Sequence, residues 1–113
     1  MDLEVALREL AGADIVAFGG VGLASTVLPA TEAYRALVAA VDRDGAALRP
    51  HLDRLLEHGT PAGKVYGASL LDRLDPDAGR AAWRRLATDP AEFTTFSGCI
   101  MNKTTLAEYA AAQ

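Results

Sequence analysis

A glycine-rich segment near the start of the chain has the residue types of a phosphate-binding turn. Gly20-Val21-Gly22-Leu23-Ala24-Ser25 follows the β-like run Ile15-Val16-Ala17-Phe18, and Asp42 lies 20 positions after Gly22. Glycines closely spaced after a strand, with a carboxylate about 20 residues further on, are typical of dinucleotide-binding units. Here Ser25 replaces the third glycine and Pro29 interrupts the helix that should follow, so the sequence favours a flexible loop.

Two other groups of residues have part of a ligand-binding pattern. Gly59 to Lys64 has three residues between its glycines where a P-loop has four, and Val65 stands where that motif needs Ser or Thr. His51 and His58 are seven positions apart on one predicted helix, which separates their backbones by about 10 Å. A zinc ion, with bonds of about 2 Å, does not easily join them. We therefore predict no cofactor and no metal.

Cys99 is the one cysteine of the chain and its one candidate nucleophile. Gly98 before it would leave the thiol accessible, and either of the two histidines, if close, would favour the reactive thiolate. Free cysteine is more often a small buried apolar residue, and the apolar neighbours Ile100 and Met101 favour burial here. The sequence leaves catalysis open but does not favour an enzyme.

The composition is that of a folded, mildly acidic protein. Of the 113 residues 50% are hydrophobic and 23% are charged, and the net charge is -4. This charge argues against a nucleic-acid partner, because phosphate neutralisation needs clustered Lys and Arg. No apolar run approaches the roughly 20 residues that span a bilayer, and the acidic start does not fit a signal peptide. With one cysteine, as expected in a reducing compartment, we predict a single cytoplasmic domain, residues 1–113, without a membrane partner.

Apolar residues repeat at helical spacing along most of the chain. Thr60-Pro61 and Asp75-Pro76 place a capping side chain before a proline, which is typical of a helix start, and Asp89-Pro90-Ala91-Glu92 has capping-box spacing. Pro50 fits only near the first turn of a helix, so we start that helix close to Arg49, after a turn. The predicted helices run from residue 2 to 11, from Thr31 to Val41, from Arg49 to His58, from Pro61 to Leu74, from Pro76 to Leu86 and from Thr105 onward.

The helix from Pro61 to Leu74 carries apolar residues on more than one side, so we predict that it is central. Gly63 and Gly67 lie inside it, where each glycine costs about 0.5 to 1 kcal/mol relative to alanine. Close approach of a neighbouring helix explains both glycines most simply. Recognition of a ligand by the exposed backbone is the alternative.

Two segments lack helical periodicity. Residues 15–18 have the composition of a short strand, and residues 93–101 contain two strand-like runs around Ser97-Gly98. We therefore predict a mainly α fold, either a compact helical bundle or a short HEAT-like stack of five to six helices. A minor two-stranded element from 15–18 and 93–101 would accompany it.

Three short motifs, Leu52-Asp53-Arg54-Leu55, Leu71-Asp72-Arg73-Leu74 and Arg85-Leu86-Ala87, lie on successive predicted helices with tight connections. In this respect the chain, over about residues 31–87, resembles HEAT and armadillo-like repeat proteins. The resemblance implies stacked helix pairs whose exposed face binds proteins, and it carries no catalytic residue. The two Leu-Asp-Arg-Leu copies are 19 residues apart, one helix rather than one hairpin, so a compact bundle fits the same pattern.

The sequence thus predicts a small cytoplasmic α-helical module for protein-protein interaction. An inhibitory or immunity-like partner of another protein is one form that such a module takes. Its net negative charge complements a basic partner surface. Its mean hydropathy of +0.11 is compatible with a homo-oligomer in which a second copy covers apolar helix surface. The alternative is a small-ligand-binding or enzymatic domain that uses loop 18–26 and tail 94–102 with Cys99, because loops on rigid scaffolds often carry function. The candidate surface or pocket residues are Phe18, Gly20, Gly22, Ser25, Gly63, Tyr66, Thr95, Ser97, Cys99 and Asn102.

Overall fold

The computed structural model describes residues 1–113 as five helices and a three-stranded sheet. The elements in chain order are α1 (Leu3–Ala11), β1 (Ile15–Val16), α2 (Pro29–His58), α3 (Pro61–Leu74), α4 (Pro76–Leu86), β2 (Glu92–Ser97), β3 (Ile100–Thr105) and α5 (Leu106–Ala111). The predicted mainly α fold is confirmed, but the minor element has three strands rather than two. None of the helices combines the length and the apolar content needed to cross a membrane.

α2 consists of two helical segments that meet at Asp44. The backbone of Asp44 is not helical, with φ -155° and ψ 70°, and its carboxylate accepts a hydrogen bond from the Ala47 N–H at 3.4 Å. The helix therefore resumes directly after Asp44, and the prediction of a new start near Arg49 was wrong. Pro50 lies inside the helix, where its ring removes one backbone donor, and the capping carboxylate of Asp44 sets the start instead.

α3 is the central helix and packs against α1, α2, α4 and the sheet. It begins at the predicted cap, where the Thr60 hydroxyl accepts a hydrogen bond from the Gly63 N–H at 3.1 Å. A Cβ atom added to Gly63 would lie 2.4 Å from the Leu10 carbonyl oxygen of α1, and one added to Gly67 would lie 3.3 Å from Leu55 of α2. Both glycines therefore permit close contact between helices.

The other predicted caps have different outcomes. The Asp75 carboxylate accepts from the Asp77 N–H at 3.1 Å and begins α4, and the Thr105 hydroxyl accepts from the Glu108 N–H at 3.1 Å and begins α5. Asp89 begins no helix, because the alternating residues after it enter β2. Its carboxylate accepts from the Ala91 N–H at 3.0 Å and shapes the turn before that strand.

The sheet has the order β1-β2-β3. β1 runs parallel to β2, with Ile15 beside Thr94, whereas β2 and β3 form an antiparallel hairpin in which Phe96 faces Met101. Gly98 and Cys99 form the two-residue turn of this hairpin, and Gly98 has a φ of +59°, which suits glycine. The predicted strand-like runs at 93–101 are thus the hairpin, and β1 adds a third strand along it.

An exposed ion pair joins α2 to α3 and predicts a pH dependence of stability. The Arg73 guanidinium donates to both carboxylate oxygens of Asp42, at 2.9 and 2.8 Å, and these hydrogen bonds lower the pKa of Asp42 below its ordinary 3.8. A lowered folded-state pKa means that the stabilisation is present above pH 3.8 and is lost as the pH falls through the lowered value. We therefore expect Asp42→Asn to lower the free energy of unfolding at neutral pH.

Urea denaturation of the wild type and Asp42→Asn at pH 7 and pH 2 measures this effect. The difference between the two proteins should shrink at the lower pH, because the stabilisation is lost as the pH falls through the lowered pKa of Asp42. Arg73→Gln should reproduce the loss at pH 7, and the double variant should lose little more than either single variant. An equal difference at both pH values would contradict the assignment.

Candidate functional site

Two buried side chains hold the segment that follows β1. Tyr66 of α3 accepts a hydrogen bond from the Ala17 N–H at 2.8 Å, and its hydroxyl oxygen lies 3.0 and 3.2 Å from the carbonyl oxygens of Ala17 and Ile15, to which the hydroxyl donates. Thr31 of α2 donates to the same Ala17 carbonyl at 2.6 Å. Helix side chains therefore satisfy the peptide groups on this side of β1, and they fix the direction in which the chain leaves the strand.

Three aromatic rings pack around this point. The ring centroids of Phe18 lie 5.0 Å from Tyr34 and 5.4 Å from Tyr66, and the two tyrosines are 5.6 Å apart. Burial raises the pKa of both tyrosine hydroxyls, so they stay neutral at physiological pH. Tyr66 is fully buried, whereas 41% of Phe18 remains exposed. Phe18 therefore packs on the core with one side and offers the other to solvent.

The loop after Phe18 is a closed turn attached to the hairpin. Val21 and Thr26 exchange two backbone hydrogen bonds of 2.7 and 3.0 Å, and the Gly22 N–H donates to the Gly98 carbonyl at 2.8 Å. Gly22 and Ser25 adopt positive φ values of 72° and 51°. The next helix after the loop begins at Pro29, whereas a dinucleotide-binding turn leads directly into a helix.

This loop, the hairpin and α5 enclose a cleft of about 570 Å³. Glu108 is the one charged side chain in its wall, and its Oε2 atom accepts a hydrogen bond from the Thr104 hydroxyl at 3.2 Å. Burial raises the pKa of Tyr109, which also lines the cleft. The complete lining is Val16, Phe18, Gly19, Gly20, Thr95, Phe96, Ser97, Gly98, Thr104, Glu108, Tyr109 and Ala112.

Four of the ten predicted site residues line this cleft, and they are Phe18, Gly20, Thr95 and Ser97. Gly22 and Ser25 shape the adjoining loop, and Tyr66 lies buried beneath it. Gly63 is buried in the contact between α1 and α3 and does not line the cleft. Asn102 pairs with Thr95 in the hairpin and is exposed. The four residues therefore lie in one wall of the cleft, and the other six predicted residues lie outside it.

Cys99 is exposed at the hairpin turn, so the prediction that it is buried was wrong. The turn extends beyond the hydrophobic core, and it also leaves Ile100 and Met101 63% and 59% exposed. Cys99 does not line the cleft and makes no hydrogen bond with a histidine. The pairing of a thiol with a base that catalysis would need is therefore not present in this arrangement.

Both histidines line a second groove, of about 360 Å³, between α1 and the C-terminal half of α2. Arg8 and Arg54 lie in the same groove, and Glu4 is the acidic residue in its wall. His51 and His58 share one face of the helix because they are separated by two turns. No three His, Cys, Asp or Glu side chains come together in an arrangement that could hold a metal ion.

Sequence reasoning missed the α5 side of the cleft, namely Glu108 and Tyr109. The capping-box pattern Thr105-Leu106-Ala107-Glu108 did place Glu108 in the first turn of a helix. The parallel pairing of β1 with β2 decides which face of that helix lies against the loop after β1. This pairing joins segments that are almost 80 residues apart in the chain. The local pattern carries no signal for it.

Comparison of the chain with protein families, with curated proteins and with solved structures found no match. The resemblance to HEAT and armadillo-like proteins therefore stays a prediction.

Proposed function

We propose that this protein is a cytoplasmic interaction module that binds an extended segment of another protein along the free edge of β3. The observation that carries the proposal is the asymmetry of the sheet. β3 has a neighbouring strand on one side only, whereas the corresponding side of β1 is closed by the Tyr66 hydroxyl. Unpaired N–H and C=O groups on an edge strand are a ready template for an added strand.

The hairpin register identifies which backbone groups are free. A two-residue turn closes on a hydrogen-bonded pair, here Ser97 and Ile100, and hydrogen-bonded pairs then alternate along an antiparallel ladder. By this alternation the backbone groups of Met101 and Lys103 point away from β2. An incoming strand would pair with these two residues.

Side chains near the edge define the chemistry of the segment that would bind. Met101 is exposed and faces Phe96 across the hairpin, and Leu23, which is 98% exposed, lies in the loop attached to the hairpin turn. Lys103 is the one charged residue of β3. An extended segment with an apolar residue opposite Met101 and an acidic residue opposite Lys103 would complement this edge. An inhibitory or immunity-like role is the most specific form of this proposal.

The test begins with affinity purification of the tagged protein from its native cytoplasm, with native mass recorded on the same sample. The affinity of the captured partner is then measured with purified proteins. We expect Met101→Glu to weaken binding at least about tenfold, which corresponds to about 1.4 kcal/mol. Val5→Glu, a matched change of an exposed apolar residue on α1, should leave the affinity unchanged.

Two results would contradict this proposal. If Met101→Glu binds the partner with the same affinity as the wild type, the β3 edge is not part of the interface. A dimer of the protein itself that dissociates when Met101 is replaced by Glu would mean that a second copy, not another protein, covers the edge.

A second function, binding of a small molecule, is supported by the convergence of loop 18–26 and tail 94–102 on one cleft. Its volume of about 570 Å³ lies within the range of about 300 to 1,000 Å³ typical of ligand sites. β1 and β2 are parallel and the residues after both strands line it, as ligand sites do at the carboxyl ends of parallel strands. Cys99 has no part in this second proposal. A small molecule retained in the native mass measurement would favour it.

A further inference from the structure

We propose that the cleft between the loop after β1 and α5 binds an organic amine in its cationic form. The ammonium group would lie beside Glu108, and an apolar group would pack against an aromatic wall formed by Phe18 and Tyr109. The inference rests on the second proposed function, small-molecule binding, and names the class of ligand. Three independent properties of the cleft support it.

The first property is charge. Glu108 is the one charged residue among the twelve that line the cleft, and no Lys, Arg or His side chain lies there to pair with it. Its Oε2 atom accepts from Thr104, and its Oε1 atom has no hydrogen-bond partner within the chain. A carboxylate with a free oxygen and no cationic neighbour favours a positively charged ligand and disfavours an anion.

The second property is the aromatic wall. Phe18 presents its exposed side to the cleft, and the ring of Tyr109 is held in place by Phe93 and Trp83, with centroid distances of 5.5 and 5.9 Å. Such rings bury the apolar group of a ligand, and their faces also attract a cation that lies within about 6 Å of the centroid. Rings that are already fixed by packing lose little freedom when a ligand binds.

The third property is the supply of hydrogen-bond acceptors. Gly19 and Gly20 line the cleft, and their carbonyl groups accept no hydrogen bond from the chain. The Tyr109 hydroxyl and the Ser97 hydroxyl also lack partners within the chain, and burial keeps Tyr109 neutral by raising its pKa. An ammonium group has three donors and no acceptor, so it matches a site with one carboxylate and several free oxygen atoms.

The test compares three ligands that share one ring and differ in charge: benzylamine, benzyl alcohol and benzoate. Each is titrated into the full-length, ¹⁵N-labelled protein at pH 7, where benzylamine is protonated, and amide shifts are followed. We expect benzylamine to move the signals of Gly19, Gly20, Ser97 and Glu108, and to bind at least about tenfold more tightly than the other two ligands.

Glu108→Gln is the decisive variant, because it removes the charge and keeps an oxygen that can accept from Thr104. We expect it to weaken benzylamine binding about tenfold while the affinity for benzyl alcohol stays the same. Glu57→Gln, an exposed residue of α2 outside the cleft, is the matched control and should change neither affinity.

The outcomes separate the two proposals. Equal binding of all three ligands at the cleft, or benzylamine binding that survives Glu108→Gln, would overturn the amine inference and leave the small-molecule function standing. If none of the three ligands moves the signals of Gly19, Gly20 and Ser97, the amine inference is overturned, and the second proposed function is overturned with it if native mass also shows no retained small molecule.

Discussion

Gly63→Ala is expected to lower the free energy of unfolding by about 2 kcal/mol, although alanine is the better helix former. A Cβ atom at this position would lie 2.4 Å from the Leu10 carbonyl oxygen, which belongs to the backbone of α1 and cannot rotate away. α1 and α3 would have to separate, and such overpacking costs about 1 to 3 kcal/mol or more. The gain of about 0.5 to 1 kcal/mol from removing a helical glycine offsets only part of that.

Gly67→Ala is the matched control, one turn further along the same helix. Its added Cβ would lie 3.3 Å from the Cγ atom of Leu55, and a leucine side chain can move by a few tenths of an ångström. We therefore expect Gly67→Ala to be close to neutral in urea denaturation followed by circular dichroism. Equal stability of the two alanine variants would show that α1 and α3 separate easily at Gly63, and it would contradict a tight contact between these helices.

Gly63→Ala should also change the structure of the cleft. The Thr60 hydroxyl that caps α3 also donates to the Ala13 carbonyl, just before β1, so α1, the start of β1 and the start of α3 move together. A shift of α1 would displace the strand that leads to Phe18. Amide shifts at Gly19 and Gly20 in Gly63→Ala, and unchanged shifts there in Gly67→Ala, would demonstrate this connection.

The parts of the fold that the sequence predicts well are those fixed by short-range chemistry. Thr60-Pro61 and Asp75-Pro76 supply a capping oxygen and a preset φ within two residues, and both helices begin where these signals place them. Asp44 supplies the same chemistry without a proline, and the rule that proline belongs in a first turn moved the predicted start to Arg49. At Pro50 the packing of the whole helix outweighs the loss of one hydrogen bond.

The parts that it predicts poorly depend on partners distant in the chain. Apolar neighbours favoured burial of Cys99, but the exposure of a residue at a hairpin turn depends on how far the hairpin extends beyond the core. Phe18, Gly20, Thr95 and Ser97, which line the cleft, were proposed as site residues because their segments lack helical periodicity, which is a local signal. Glu108 lies on a regular helix turn, so its place in the cleft follows only from the sheet topology.

Tyr66→Phe is expected to lower the free energy of unfolding by about 2 to 3 kcal/mol through the loss of a single oxygen atom. The phenyl ring would keep its packing against Phe18, but the buried Ala17 N–H would lose its acceptor. An unsatisfied buried donor costs about 1 to 3 kcal/mol, and the Ile15 carbonyl loses a hydrogen bond as well. The Ala17 carbonyl keeps the hydrogen bond from Thr31.

Tyr34→Phe provides the matched control, because Tyr34 belongs to the same aromatic cluster and its hydroxyl makes no hydrogen bond within the chain. We expect this variant to stay close to the wild type in urea denaturation, whereas Tyr66→Phe unfolds at lower urea concentration. Hydrogen exchange should distinguish local opening around Ala17 from a lower stability of the whole domain. The Ala17 amide should exchange faster in Tyr66→Phe than the lower global stability alone explains.

The same hydroxyl connects the helical core to the site. Tyr66 does not line the cleft, yet it fixes the chain just before Phe18, Gly19 and Gly20, which do. Tyr66→Phe should therefore weaken benzylamine binding under conditions where the variant is still folded, and Tyr34→Phe should not. If both variants bind benzylamine as the wild type does, the position of the loop does not depend on the Tyr66 hydroxyl, and the aromatic packing of Phe18 alone holds the cleft wall in place.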